Sequence, residues 1–71
     1  MNLDNVRMLI KEYLNIPCYF TYTGTRNQIE EFSGKIINCY HSIFVVETTE
    51  KVIKAFSYND YIMKNIKIIS L

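Results

Sequence analysis

The stretch from Gln28 to Tyr40 is the part of this sequence that most constrains the fold. It is an extended run that is long for one strand, and Ser33-Gly34 lies near its middle. Because a residue without a Cβ tolerates close backbone approach and altered torsions, a glycine at this point is typical of a strongly bent or bulged strand. One bent strand of this kind can serve both halves of a small barrel.

The N-terminal segment has a different periodicity. Five apolar residues recur at intervals of three and four, which predicts an amphipathic helix over residues 3–14. They are Leu3, Val6, Ile10, Tyr13 and Leu14. Asn15 is suited to a left-handed cap, and Pro17 prevents continuation of the helix. Three charged residues fall on the outer face, which we interpret as solvated, and they are Arg7, Lys11 and Glu12.

After Pro17 the period changes to two, which is typical of strands. Besides the bent run, strands are predicted over residues 18–23, 43–47, 52–57 and 66–69, and the segment Ser57–Asp60 favours a single helical turn before the last of them. We therefore expect a mainly β protein, with an N-terminal α-helix followed by a five-stranded SH3-like (Sm-like) small barrel. It forms a single domain over residues 1–71, with the helix at 3–14 and the barrel at 18–70.

The composition limits the classes of function. The chain has 71 residues, of which 49% are hydrophobic, and its formal net charge is +1. This balance is typical of a folded protein, and it argues against broad electrostatic binding to nucleic acid or to an anionic membrane. The N-terminus lacks the features of a signal peptide, and polar residues interrupt every apolar run before the roughly 20 residues that a membrane span needs. We expect a cytoplasmic protein with no membrane partner.

The residue types that carry catalysis and metal binding are sparse. Cys18 and Cys39 are far apart and have no Cys or His companion, so we expect two reduced thiols packed as small hydrophobic groups. The single histidine, His41, falls in a predicted turn without an evident partner for acid–base chemistry. No nucleophile, phosphate-binding or zinc-protease motif occurs. We therefore predict no catalytic residues, no metal site and no cofactor.

Two loops carry clusters of polar and aromatic residues, and binding residues of small barrels concentrate in loops. One cluster is Tyr40-His41-Ser42, and the other is Ser57–Asp60. The candidate partner-binding residues are Arg26, Tyr40, His41, Ser42, Tyr58 and Asp60. A structural alternative stays open, in which Tyr58 plugs the barrel end and Asp60 caps the helical turn. Arg26 with Lys35, and Lys64 with Lys67, are the only candidates for a phosphate-facing patch, but a merely solvated face is the favoured interpretation, because basic residues are mostly exposed.

Two segments of the chain, residues 33–46 and 56–62, resemble the Veg family of small bacterial proteins. The matching positions are Gly34, Tyr40, Ser42, Phe44, Ser57, Tyr58 and Asp60. The resemblance implies a cytosolic protein with an N-terminal helix and an SH3-like barrel. It also implies a non-enzymatic role in stimulating biofilm formation through transcriptional control, by binding a regulatory protein.

The sequence departs from the family pattern in two places. Residues 24–28 keep one arginine, Arg26, where the family has a more basic loop, and His41 replaces a proline. If the family's basic loop contacts nucleic acid or an acidic partner, that contact is therefore expected to be weaker in this chain.

Residues 34–44 also look, more distantly, like the first half of an Sm-type RNA-binding motif. That likeness leaves an RNA- or DNA-binding module as the alternative function, with bases stacking on Tyr40 and Tyr58. A third option is an enzyme of unknown type. An open barrel edge would also permit a homodimer.

Overall fold

A computed structural model describes residues 3–24 and 28–71 of the chain. Its elements follow in the order α1 (Leu3–Lys11), β1 (Cys18–Thr23), β2 (Ile29–Cys39), β3 (Ile43–Thr48), β4 (Ile53–Ser57), α2 (Tyr58–Ile62) and β5 (Ile66–Ser70). The prediction of a mainly β protein, with a helix first and a helical turn before the last of five strands, is confirmed.

Helix α1 ends at Lys11, three residues before the predicted end at Leu14. The chain then follows β2, because Leu14 forms a parallel bridge with Ile36 and the Asn15 N–H donates to the Ile36 carbonyl at 2.8 Å. Asn15 has a φ of 62°, which is the left-handed conformation expected of it. Residues 12–14 thus form tighter hydrogen-bonded turns where the apolar spacing predicted α-helix, and the long-range backbone hydrogen bond of Asn15 follows them.

The five strands form one antiparallel sheet in the order β4-β3-β2-β1-β5. Three antiparallel pairings separate β4 from β1 and one separates β5 from β1, so the two edge strands run in the same direction. Closing the ring would need a parallel pair between them, and the described strands make none. The sheet is therefore curved and open between β4 and β5, so the predicted five-stranded small barrel is not a closed one.

Strand β2 combines a close backbone approach at Gly34 with a bulge further along the strand. A Cβ on Gly34 would lie 2.9 Å from the Thr48 Cα, and closer still to the Glu47 carbonyl oxygen on β3. The register with β3 then shifts between Ile36 and Asn38, which marks a bulge. The glycine lets β3 approach β2 closely, and the bulge increases the curvature of the sheet towards its concave face.

The concave face holds the core. Its buried residues are Val6, Ile10, Cys18, Phe20, Ile36, Phe44, Val46, Phe56, Tyr58 and Ile66. Tyr22 of β1 contacts Phe56 of β4 with ring centroids 5.0 Å apart, so the sheet curls far enough to bring these two strands face to face. Cys18 is buried and Cys39 half-buried, and both are free thiols as predicted.

No helix in residues 3–24 and 28–71 is long and apolar enough to cross a membrane.

Candidate functional site

The turn between β2 and β3, Tyr40 to Ser42, lies on the surface. Tyr40 is 54% exposed, although it is a large aromatic residue. The Tyr40 N–H donates to the Ile43 carbonyl at 2.8 Å and closes the turn. The predicted contact residues Tyr40, His41 and Ser42 are all exposed, so their side chains are available to another molecule.

Tyr58, the first residue of α2, lies beneath this turn and is 0% exposed. Its hydroxyl donates to the Tyr40 carbonyl at 2.6 Å, and its N–H donates to the Ser42 carbonyl at 3.2 Å. Its ring contacts Phe44 with centroids 5.7 Å apart. The structure thus brings Tyr58 and the turn together, but Tyr58 supports the backbone and presents no side chain to solvent.

Asp60 belongs to the cap of α2. Its N–H donates to the Ser57 Oγ at 3.1 Å, and its Oδ2 accepts from the Ser57 N–H at 3.3 Å, which together form a capping box. Its other carboxylate oxygen accepts from the Asn65 Nδ2 at 3.5 Å. Both carboxylate oxygens are therefore engaged within the chain, as the structural alternative for Asp60 required.

Arg7 of α1 is a further member of this site that the sequence interpretation missed. Its Nε donates to the His41 carbonyl at 3.0 Å, and its Nη1 lies 2.8 Å from the Asp4 Oδ1. We predicted a side chain on a solvated face, and the structure adds that its guanidinium bridges the helix to the turn. The spacing of Asp4 and Arg7, three residues apart on one helix, is the sequence signal that could have indicated an oriented arginine.

The groups beneath the turn are held neutral. Burial raises the pKa of Tyr58, and the nearby Cys39 thiol adds to this effect. Burial also raises the pKa of the Cys39 thiol, although the Tyr58 hydroxyl and the positive charge of Lys11 act in the opposite direction. Tyr58 therefore keeps the proton that it donates to Tyr40 at neutral pH.

The remaining basic candidates are not part of this cluster. Arg26 lies outside the described residues. Lys35 is on β2 opposite Glu47, whereas Lys64 and Lys67 flank the start of β5. Within the described ranges, no group of three or more His, Cys, Asp or Glu side chains could hold a metal ion. What the cluster offers is an exposed aromatic ring, an imidazole and a hydroxyl on a braced turn.

A comparison with protein-family models matches residues 1–69 to the family described as biofilm formation stimulator VEG. No curated protein matches the chain. The match spans the Tyr40–Ser42 turn and the α2 segment, which are the two regions that carried the resemblance in the sequence. Since it covers nearly the whole chain, the chain belongs to the Veg family of biofilm formation stimulators.

Proposed function

We propose that this protein stimulates biofilm formation by binding a regulatory protein that controls transcription, without catalysing a reaction itself. The contact surface is the Tyr40–Ser42 turn. The observation that carries the proposal is the exposed Tyr40 on a backbone fixed by internal hydrogen bonds.

Preorganisation is the physical reason for choosing this turn. The carbonyls of three successive residues, Tyr40, His41 and Ser42, accept hydrogen bonds from Tyr58 or Arg7. A braced turn loses little conformational entropy on binding, so more of the contact energy appears as affinity. Tyrosine is also enriched among the residues that dominate protein interfaces, because it offers a large ring and a polar tip at low entropic cost.

The polar groups of the site support binding better than chemistry. The Tyr58 hydroxyl is committed to the Tyr40 carbonyl, and the Asp60 carboxylate to its cap and to Asn65. Polar groups that are hydrogen-bonded within the chain in this way stabilise the shape of the surface. The transcriptional step is inferred from the family's role in stimulating biofilm formation.

The test compares Tyr40→Ala with Tyr40→Phe in the host that carries the gene. We expect Tyr40→Ala to lower biofilm mass and transcription of the matrix genes to the level of a deletion strain, while Tyr40→Phe keeps most of both. Ile53→Ala is the matched control, because Ile53 is 56% exposed and lies on the β4 edge, away from the turn. Protein amounts are measured by immunoblot. Wild-type biofilm and transcription from Tyr40→Ala at equal protein level contradict the proposal.

The same variants separate protein binding from RNA binding. A gel shift with single-stranded RNA, repeated at increasing salt, measures the alternative directly. We expect no shift at micromolar protein. An RNA affinity that falls with salt and also with Tyr40→Ala would replace the protein partner with a nucleic acid.

A further inference from the structure

The free side of β5 is an unpaired sheet edge. The Thr23 N–H donates to the Asn65 carbonyl and the Leu71 N–H to the Pro17 carbonyl, so the odd-numbered residues of β5 bond to β1. In an antiparallel ladder the alternate residues point their backbone groups the other way. The N–H and C=O of Ile68 and Ser70 therefore face away from β1, and no backbone hydrogen bond among the described residues uses them.

An apolar groove runs beside this edge. It has a volume of about 350 Å³ and is lined by Tyr61, Ile62, Lys64, Ile66, Lys67 and Ile68. Its aromatic and aliphatic members come from α2 on one side and from the inner face of β5 on the other. An extended segment that pairs with β5 would place every second side chain on this face, which is how added strands combine backbone pairing with side-chain selection.

Two cations border the groove. Lys64 and Lys67 are both exposed, and neither has a carboxylate of a described residue within ion-pair distance. Lys67 alternates with the inner-facing residues of β5. Its side chain therefore lies on the outer face of the sheet, beside the outer side chains of any strand added at this edge. The edge therefore favours a segment whose inner side chains are aliphatic and whose outer side chains are acidic.

A second copy of this chain fits this edge less well. Two β5 strands paired antiparallel about Ile68 would place the two Lys67 side chains diagonally across from each other on one face, and β5 has no acidic residue to offset the two positive charges. The β4 edge also has fewer free groups, because the Ser57 N–H donates to Asp60. Charge complementarity thus points to a different molecule.

We propose that β5 is a strand-addition site for an extended acidic segment of a partner protein, which pairs with Ile68 and Ser70 and packs its aliphatic side chains into the groove. This surface goes beyond the proposed function, since it does not involve the Tyr40–Ser42 turn.

The probe is a short, end-blocked, fluorescently labelled peptide of alternating glutamate and valine, titrated with the full chain and followed by fluorescence anisotropy. A peptide with lysine in place of glutamate is the reference. We expect the acidic peptide to bind about tenfold more tightly or better, and Lys67→Glu to remove that preference. Lys35→Glu makes the same charge change on an exposed lysine of β2 and is expected to retain the preference.

Backbone pairing is tested by Ser70→Pro. Proline removes the N–H that faces the free edge and leaves the β1 ladder intact, so we expect severalfold weaker binding at an unchanged unfolding midpoint. Equal binding of both peptides, no binding of either at millimolar protein, or affinity insensitive to both Lys67→Glu and Ser70→Pro overturns the proposal. A concentration-dependent dimer in sedimentation velocity that Ser70→Pro weakens also overturns it, in favour of a second copy.

The turn and the edge are tested separately. Tyr40→Ala is expected to bind the acidic peptide as the unaltered chain does. Failure of the peptide experiment therefore leaves the turn as the contact surface, and failure of the Tyr40 experiment leaves the β5 edge intact.

Discussion

Replacing Tyr58 with Phe removes one hydroxyl from the centre of the candidate site and leaves the ring in the core. That hydroxyl donates to the Tyr40 carbonyl at 2.6 Å from a residue with 0% exposure. A neutral hydrogen bond contributes about 1 kcal/mol net, and Tyr40 is exposed enough for water to replace the lost donor. We therefore expect the free energy of unfolding to fall by about 1 kcal/mol, which for a domain of this size lowers the melting temperature by roughly 4–8 °C.

The pH dependence gives a second measurement of the same group. Burial raises the pKa of Tyr58 above its ordinary value of 10.0. A tyrosine whose pKa is higher in the folded than in the unfolded state stabilises the fold fully below the unfolded value, and this contribution is lost as pH rises through the folded pKa. The stability difference between wild type and Tyr58→Phe should therefore be constant near neutral pH and shrink above about pH 10.

Thermal unfolding followed by circular dichroism at pH 7 and at increasing alkaline pH measures both effects. Tyr61→Phe is the matched control, because Tyr61 is half-buried in the same helix and its hydroxyl makes no hydrogen bond to a described residue. Biofilm mass should fall in Tyr58→Phe, but less than in Tyr40→Ala. A melting temperature equal to that of wild type at pH 7 would refute the argument that this hydroxyl holds the turn.

Two further substitutions test the framework of the site. Gly34→Ala should lower the unfolding free energy in urea by about 1–3 kcal/mol, because its Cβ would meet the β3 backbone at Thr48, whereas Gly24→Ala, with only ordinary contacts, should change it little. Equal effects would contradict the close-approach argument. Ser57→Ala should cost about 1 kcal/mol, because the Asp60 N–H loses its acceptor, and an unchanged urea midpoint would remove the capping box as a source of stability.

Local sequence patterns predicted the helices and strands well. The features that they did not predict, the end of α1 and the openness of the sheet, depend on long-range contacts. The period of two over residues 18–23 corresponds to β1 at Cys18–Thr23. The helix ended early because Asn15 bonds to Ile36, which lies 21 positions further along the chain and leaves no trace in apolar spacing. Whether the sheet closes depends on the relative direction of its two edges, and that follows only from the complete order of pairing.

The candidate site likewise has features that the local sequence predicts and features that depend on long-range contacts. Tyr40-His41-Ser42 and Ser57–Asp60 could be identified as loop clusters because their residue types are local information. The contact between these two clusters could not be predicted, because it depends on the curvature of the sheet. Burial then separates the roles that the sequence left undecided, with Tyr40 exposed and Tyr58 enclosed beneath it. Arg7 was missed because helical periodicity locates the apolar face and gives no target for a charged side chain.

The short helix α2 connects the two proposed surfaces. Its first residue, Tyr58, holds the turn by two hydrogen bonds, and Tyr61 and Ile62 near its other end line the groove beside β5. Loosening the cap with Ser57→Ala should therefore weaken both acidic-peptide binding and biofilm stimulation, whereas Tyr40→Ala weakens only the second. If Ser57→Ala lowers stability as expected but leaves both activities unchanged, α2 supports the fold and neither surface depends on its position.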